Sequence, residues 1–403
     1  MPVNDAAPEP GDIVRVAARG DGVTRDGRHV PLAAPGDRLR ADGGIVRGPH
    51  HRTPPCRHFP DCGGCQLQHL DDASWSGFIV DRIAGALAQH GLSAPIRTPQ
   101  LSPPHTRRRA TLHAERRGRQ VHLGFTEQGS HRLIDIAECH VLAPELFALI
   151  APLRGLLAAM LPASGRSDVH LACTDQGVDV RIGRIADDSL AAAEAITAFA
   201  YRHDLARLAI DDGYGAQPRW EPDPVTVTLG GVPVPFPGGS FLQATAEGEA
   251  ALVAAVREAA EEAGKVADLF AGLGTFALAF PEARVYAAEG AREPILALKA
   301  AAAGARRQLF ADHRDLFRRP VAPKDLDHFD AVVLDPPRAG AKEQIAEIAA
   351  SAVPIVAYVS CNPSTFARDA ETLCKGGYRL DWIQPVGQFR WSTHVELAAK
   401  FSR

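Results

Sequence analysis

Beyond about residue 240, short apolar runs of strand length alternate with alanine-rich helical segments, and each run closes on a reactive or ionisable residue. The runs are "KVADLF", "ARVYAAEG", "FDAVVLDPP" and "AVPIVAYVSC". Runs apolar on both alternating faces must be covered on both sides, and intervening helices supply the cover, which specifies a doubly wound α/β unit. Such sheets bind ligands at the carboxyl ends of their strands. Asp268, Glu289, Asp335 and Cys361 are therefore expected along one edge.

The first run leads through Gly272 and Gly274 into a helix, letting the backbone come close to a ligand. The full GxGxxG pattern fails because position 277 is Ala277, and no lysine suited to a pyrophosphate stands nearby. Glu289, 21 residues after Asp268 (289 − 268), suits the two hydroxyls of a ribose. A cofactor with a ribose and no phosphate fits, which favours S-adenosylmethionine over NAD. In "DPPRAG" the prolines stiffen the backbone after Asp335, and Arg338 stands where an enzyme methylating an exocyclic amine would carry a base-stacking aromatic.

Cys361 leaves its strand directly before Asn362-Pro363 and a helical segment, where the positive end of a helix is expected to lower a thiol pKa. A thiolate beside a methyl donor suggests addition to carbon 6 of a pyrimidine, which makes carbon 5 nucleophilic and divides one hard reaction into two. A base must then remove the proton from carbon 5. Glu396, between Val395 and Leu397 in an apolar strand pattern, is the candidate, with His394 as competitor.

Residues 1–50 show short alternating segments cut by Asp-Gly and Pro-Gly turns, the pattern of a small β-barrel. Residues 51–240 read as a central α+β domain, and residues 241–403 as the doubly wound domain. The central part opens on a turn-rich segment with Cys56, Cys62 and Cys65, and Cys139 could complete four thiolates. Zinc and an iron–sulfur cluster both accept such a set. Cys173 and Cys374 have no such company and read as packing residues. A formal charge of −4 does not advertise a polyanion partner, but seven arginines between Arg97 and Arg119 face one acid, Glu115, and form a local basic stretch. No apolar run reaches the roughly 18 residues of a membrane span, the amino terminus lacks the form of a secretory signal, and a cytoplasmic location is expected.

Taken together and in order, "GGSFLQAT", "DLFAGLGTFALA", "DPPRAG", "SCNPSTFARD" and "THVELAAKF" resemble the bacterial RNA 5-methyluridine methyltransferases that act on 23S rRNA or tRNA, over nearly the whole chain. The resemblance implies a Rossmann-like class I methyltransferase domain behind a central domain and an amino-terminal TRAM-like, RNA-binding barrel. It implies Cys361 as nucleophile and Glu396 as base, with cofactor contacts at Gln243, Phe270, Glu289 and Asp335. Thr275 stands where relatives often carry Asn, and Asp312 is the implied adenine-side acid. Arg390-Trp391 replaces a common Phe-Pro, which touches loop shape. The four cysteines are implied ligands of a [4Fe-4S] cluster, with zinc as runner-up. The implied substrate is a flipped uridine in 23S rRNA, with a tRNA T-loop uridine as alternative; no obligate protein partner is evident. Cytidine-C5 methylation is disfavoured because the DPP loop lacks a cysteine, and a non-catalytic RNA-binding iron–sulfur protein because the strand-end acids are complete.

Overall fold

The computed structural model describes residues 9–183, 185 and 189–403. Five short strands lie in the amino-terminal stretch: Ile13–Val16, Gly22–Thr24 and His29–Val30 form one antiparallel sheet, and Arg38–Leu39 pairs with Ile45–Val46. A bridge from Asp12 to Arg38 joins the two around a small core of Ile13, Val30 and Ala33. Residues 1–8 of the expected barrel fall outside the described residues.

The central part is a seven-stranded sheet ordered Ala216–Trp220, Leu205–Asp211, Gly177–Gly183, Arg166–Thr174, Arg109–Arg117, Gln120–Thr126, Leu133–Asp135. The alternation within Arg109–Arg117 sends Ala110, Leu112 and Ala114 into a core shared with the helices Ile150–Met160 and Leu190–Arg202. Thr111 and His113 take the other face, as the two-residue period of a strand requires.

The carboxyl-terminal part is built on an eight-stranded sheet ordered Leu309–His313, Arg284–Glu289, Lys265–Leu269, Ala331–Leu334, Ile355–Ser360, Glu396–Ser402, Arg379–Gly387, Gln100–Leu101. The first five run parallel, and Glu396–Ser402 is antiparallel to both its neighbours. Both faces are apolar: Ala267, Val332, Val356 and Tyr358 enter one core, Val266, Val333, Ala357 and Val359 the other. From Lys265–Leu269 the chain steps outward through two strands and then returns to the opposite side at Ala331–Leu334. That reversal opens a crevice at the carboxyl ends of these two strands.

Residues 72–101 join this body although they precede the central sheet in the chain. The helix Asp72–Gln89, capped by Asp71 accepting from the Ser74 amide at 2.8 Å, buries Trp75, Phe78 and Ile79 in the same core as Tyr358 and Phe366. Gln100–Leu101 then pairs with Val386 and Gly387 at the sheet edge. Among the described residues no helix is long and apolar enough to cross a membrane.

Candidate active site

A cavity of about 640 Å³ opens at the carboxyl ends of the parallel strands, a size suited to a small-molecule site. Gln243, Phe270, Thr275, Glu289, Asp335, Cys361 and Glu396, predicted from scattered motifs, all line it. Asp312 does not. It accepts from the Tyr286 hydroxyl at 2.7 Å and lies 3.5 Å from Arg314, and Asp315 reaches the cavity wall in its place. The two acids share the short stretch "ADHRD", and the sequence offered no signal for choosing between them: the strand Leu309–His313 contains Asp312, whereas Asp315 lies in the loop beyond it.

Phe270 stands at the exit of its strand with φ of +64°, a left-handed backbone that few side chains adopt freely, and its ring lies 5.4 Å from that of Phe317. Gly272 follows with φ of +54° and donates its amide to Glu289 at 2.9 Å, while Ala291 donates to the other carboxylate oxygen at 2.7 Å. Glu289 is thereby locked against the glycine loop. Asp268 points away from the cavity, fully buried with neither oxygen hydrogen-bonded, and burial holds its carboxyl well above the usual range.

Cys361 and Glu396 are 35 residues apart in the chain (396 − 361), and sheet register brings them together. The antiparallel strand pairs Leu397 with Ser360 and Ala398 with Val359, so its first residue, Glu396, falls beside the exit of the strand that delivers Cys361. Asn362 caps the next helix by accepting from the Ser364 amide at 3.1 Å, and it donates to the Arg338 carbonyl at 3.1 Å. The Cys361 and Asp335 loops are thus tied together. The expected depression of the thiol pKa does not hold: burial first, then the nearby Glu396 and Asp335, push it up, with Arg338 in opposition. Desolvation is the largest cause, and the two neighbouring acids add to it.

Glu396 is buried and its pKa is pushed up to about 8, by desolvation and then by Asp335, against a hydrogen bond from Gln388 and the charge of Arg109. Burial raises Asp335 to about 7. His394, the competing base, also lines the cavity; desolvation, Arg338 and Arg107 lower its pKa, leaving a neutral ring above pH 6.5.

Three arginines of the basic stretch make internal contacts. Arg108 donates to the Gln243 carbonyl at 3.0 Å and to Glu249 at 2.6 Å, Arg109 donates to the Leu242 carbonyl, and Arg97 pairs with Glu258 at 2.6 Å. They fasten the central sheet and the segment before it to the carboxyl-terminal body. Arg109 also lines the cavity, with its guanidinium 4.6 Å from the centre of the Phe241 ring.

Cys56, Cys62, Cys65 and Cys139 line one small cavity with His58, Glu138 and His140. Among the described residues no three His, Cys, Asp or Glu side chains are gathered closely enough to hold a single metal ion. Burial raises all four thiols, Cys65 to about 12. Arg107 lies part-buried within electrostatic reach of Cys65 and Cys139. Cys173 and Cys374 pack against the central and carboxyl-terminal cores, as expected.

The model of the tRNA (Uracil-5-)-methyltransferase family matches residues 302–403. An uncharacterized RNA methyltransferase of Zymomonas mobilis is 50% identical over 97% of this chain and 99% of its own length. The 23S rRNA (uracil(1939)-C(5))-methyltransferase RlmD of Chromohalobacter salexigens is 33% identical over 98% of this chain and 89% of its own. The crystal structure of Pyrococcus abyssi tRNA (uracil-54, C5)-methyltransferase in complex with S-adenosyl-L-homocysteine superposes with a TM-score of 0.72 at 23% identity, covering 97% of this chain and 99% of that one. Fold and cavity together define a Rossmann-like methyltransferase. Within that class the chain belongs to the RNA (uracil-5-)-methyltransferase family.

Proposed function

We propose that this enzyme methylates carbon 5 of a uridine in 23S rRNA through a covalent adduct on Cys361. The observation that carries the mechanism is the delivery of Cys361 and Glu396 to one cavity wall by the antiparallel register of Ser360 with Leu397. The 23S assignment rests on the RlmD relative, which matches this chain almost end to end.

S-adenosylmethionine would supply an electrophilic methyl group here, its sulfonium–methyl bond breaking as the carbon 5–methyl bond forms, and would leave as S-adenosylhomocysteine. Glu289 would accept from its ribose, and Gln243, Phe270, Thr275, Asp315 and Asp335, which line the cavity, would hold the rest of it. The Cys361 thiolate adds to uracil carbon 6, forming the S–C6 bond and moving the ring electrons toward carbon 5. Once carbon 5 holds the methyl, Glu396 takes its proton, the S–C6 bond breaks and the thiolate is restored. Glu396 must be ionised for that step, and Cys361 must shed its proton first.

The four-cysteine cavity fits a thiolate-bound group on two grounds: a donor set of four thiols, and a part-buried Arg107 guanidinium that has no carboxylate partner among the described residues and would be offset by thiolate charge. Cys56, Cys62, Cys65 and Cys139 would hold a [4Fe-4S] cluster, or zinc in second place, in a structural role. In this reading residues 1–50 bind RNA, the central part, 51–240, carries the four-cysteine site except for residues 72–101, which join the catalytic body, and 241–403 transfer the methyl group.

RNA containing 5-fluorouridine tests the reading, since fluorine on carbon 5 cannot be removed as a proton. The wild-type enzyme should yield a protein–RNA band stable to denaturation and Cys361→Ala none; an adduct that persists in Cys361→Ala overturns the nucleophile. Nucleoside mass spectrometry of 23S rRNA and tRNA from a deletion strain should show one 5-methyluridine missing from 23S rRNA, and a loss confined to tRNA overturns the substrate.

A further inference from the structure

Two glutamine side chains connect Glu396 and Asp335, two of the carboxyl groups that line the cavity. Gln388 is buried, its Oε1 accepts from the Ala244 amide at 2.8 Å, and its Nε2 donates both to Gln243 Oε1 at 2.7 Å and to Glu396. Gln243 Nε2 in turn donates to Asp335 Oδ2 at 3.3 Å. A backbone amide can only donate, so Ala244 fixes which end of the Gln388 carboxamide is oxygen. That choice forces both Gln388 N–H groups toward acceptors, and it orients Gln243 as well. The polarity of the whole chain, from Glu396 to Asp335, is therefore set by one backbone group.

We propose that Gln388 is a positioning residue: by donating to Glu396 it orients the carboxylate, favours its ionised, proton-accepting form, and links it through Gln243 to Asp335. This assignment rests on the reading of Glu396 as the base. A hydrogen bond donated to a carboxylate favours the ionised form, whereas burial and then the Asp335 carboxyl oppose ionisation of Glu396 and Arg109 favours it. His394 and Arg338 face the same cavity from its rim. The space for Gln388 is itself built in. Gly248, in the first turn of the helix Ala246–Ala259, leaves room where an added Cβ would stand 2.5 Å from Gln388 Cβ and 3.1 Å from its Oε1.

Two variants test this. Gln388→Met keeps length and volume without the donors, and Gly248→Ala displaces the side chain while retaining its amide. In Gln388→Met, kcat at pH 7 should fall about tenfold to a hundredfold, the size of a lost charge-assisted hydrogen bond. The acid limb of the kcat profile should move to higher pH, adduct with ordinary uridine RNA should accumulate, and KM for RNA should hold. Gly248→Ala should move the same limb in the same direction and carries the test alone if Gln388→Met does not fold. An unmoved acid limb in the folded variants, or a rise in KM with kcat intact, overturns the assignment. The outcomes separate cleanly: a wild-type enzyme that gives no adduct with 5-fluorouridine RNA overturns the Cys361 and Glu396 reading and this assignment with it, whereas a wild-type adduct with an unmoved limb removes only Gln388.

Discussion

Glu396, the proposed base, is held at a cost in stability. Its folded pKa of about 8 lies above the usual 4.5, so between those values the folded state holds more protons than the unfolded. Stability contributed by this group is therefore full below about pH 4.5 and lost as pH rises toward 8. Glu396→Gln removes the ionisation while keeping an acceptor for Gln388. Denaturant titrations should find the variant about 1–3 kcal/mol more stable than wild type at pH 7 to 8 and indistinguishable at pH 4, while methyl transfer is lost. Equal stability at both pH values would show that Glu396 ionises freely. The thiol of Cys361 obeys the same physics: its sequence context, at a helix amino terminus, was legible, but the burial that raises it, and the Glu396 and Asp335 carboxyl groups that add to the rise, come from distant parts of the chain.

At the scale of elements, the loop after Lys265–Leu269 separates two uses of glycine. Gly272 has φ of +54° with open space around an added Cβ, whereas Gly274, at φ of +95°, would place a Cβ 2.4 Å from Leu298 Cδ1 on the helix Arg292–Gly304. Gly272→Ala should cost roughly 1–2 kcal/mol, the backbone term alone. Gly274→Ala adds an overpacking term of roughly 1–3 kcal/mol and should also weaken cofactor binding by tilting the loop. Thermal denaturation and calorimetry with S-adenosylmethionine distinguish the two, and equal losses would refute the packing argument. The strands and the glycine turn were readable from apolar runs and residue type. The register that aligns Leu397 with Ser360 was not, because an antiparallel insertion leaves no mark in local periodicity.

Across the whole molecule, the four-cysteine segment buttresses the active site. The Gln66 and Leu67 amides both donate to the Trp391 carbonyl, at 2.8 and 2.9 Å, and the Arg107 guanidinium lies 5.6 Å from the Phe389 ring centre. Phe389 lines the catalytic cavity, and Gln388 and Glu396 flank this loop. Cys65→Ser, or removal of a bound metal by chelation, should raise hydrogen exchange at amides 388–396 and lower methyl transfer at least tenfold, with the elements of the central sheet still protected. Metal analysis and visible absorbance of anaerobically purified protein distinguish the cluster from zinc. Unchanged exchange in residues 388–396 would disconnect the cysteines from the loop.

The sequence by itself determined the class of fold, the edge on which the reactive residues gather and the identity of most of them, because strand periodicity, turn chemistry and motif spacing are local properties of the chain. It also marked the seven arginines from Arg97 to Arg119 as unusual, without saying that Arg108 and Arg109 would tie the central sheet to the catalytic body. Only the tertiary structure decided that Asp315, not Asp312, faces the cavity, that residues 72–101 complete the catalytic body, and that Gln388 joins Glu396 to Asp335. Each of these depends on which distant strand ends meet and on which side chains burial deprives of water. Neither is encoded in the neighbourhood of any one residue.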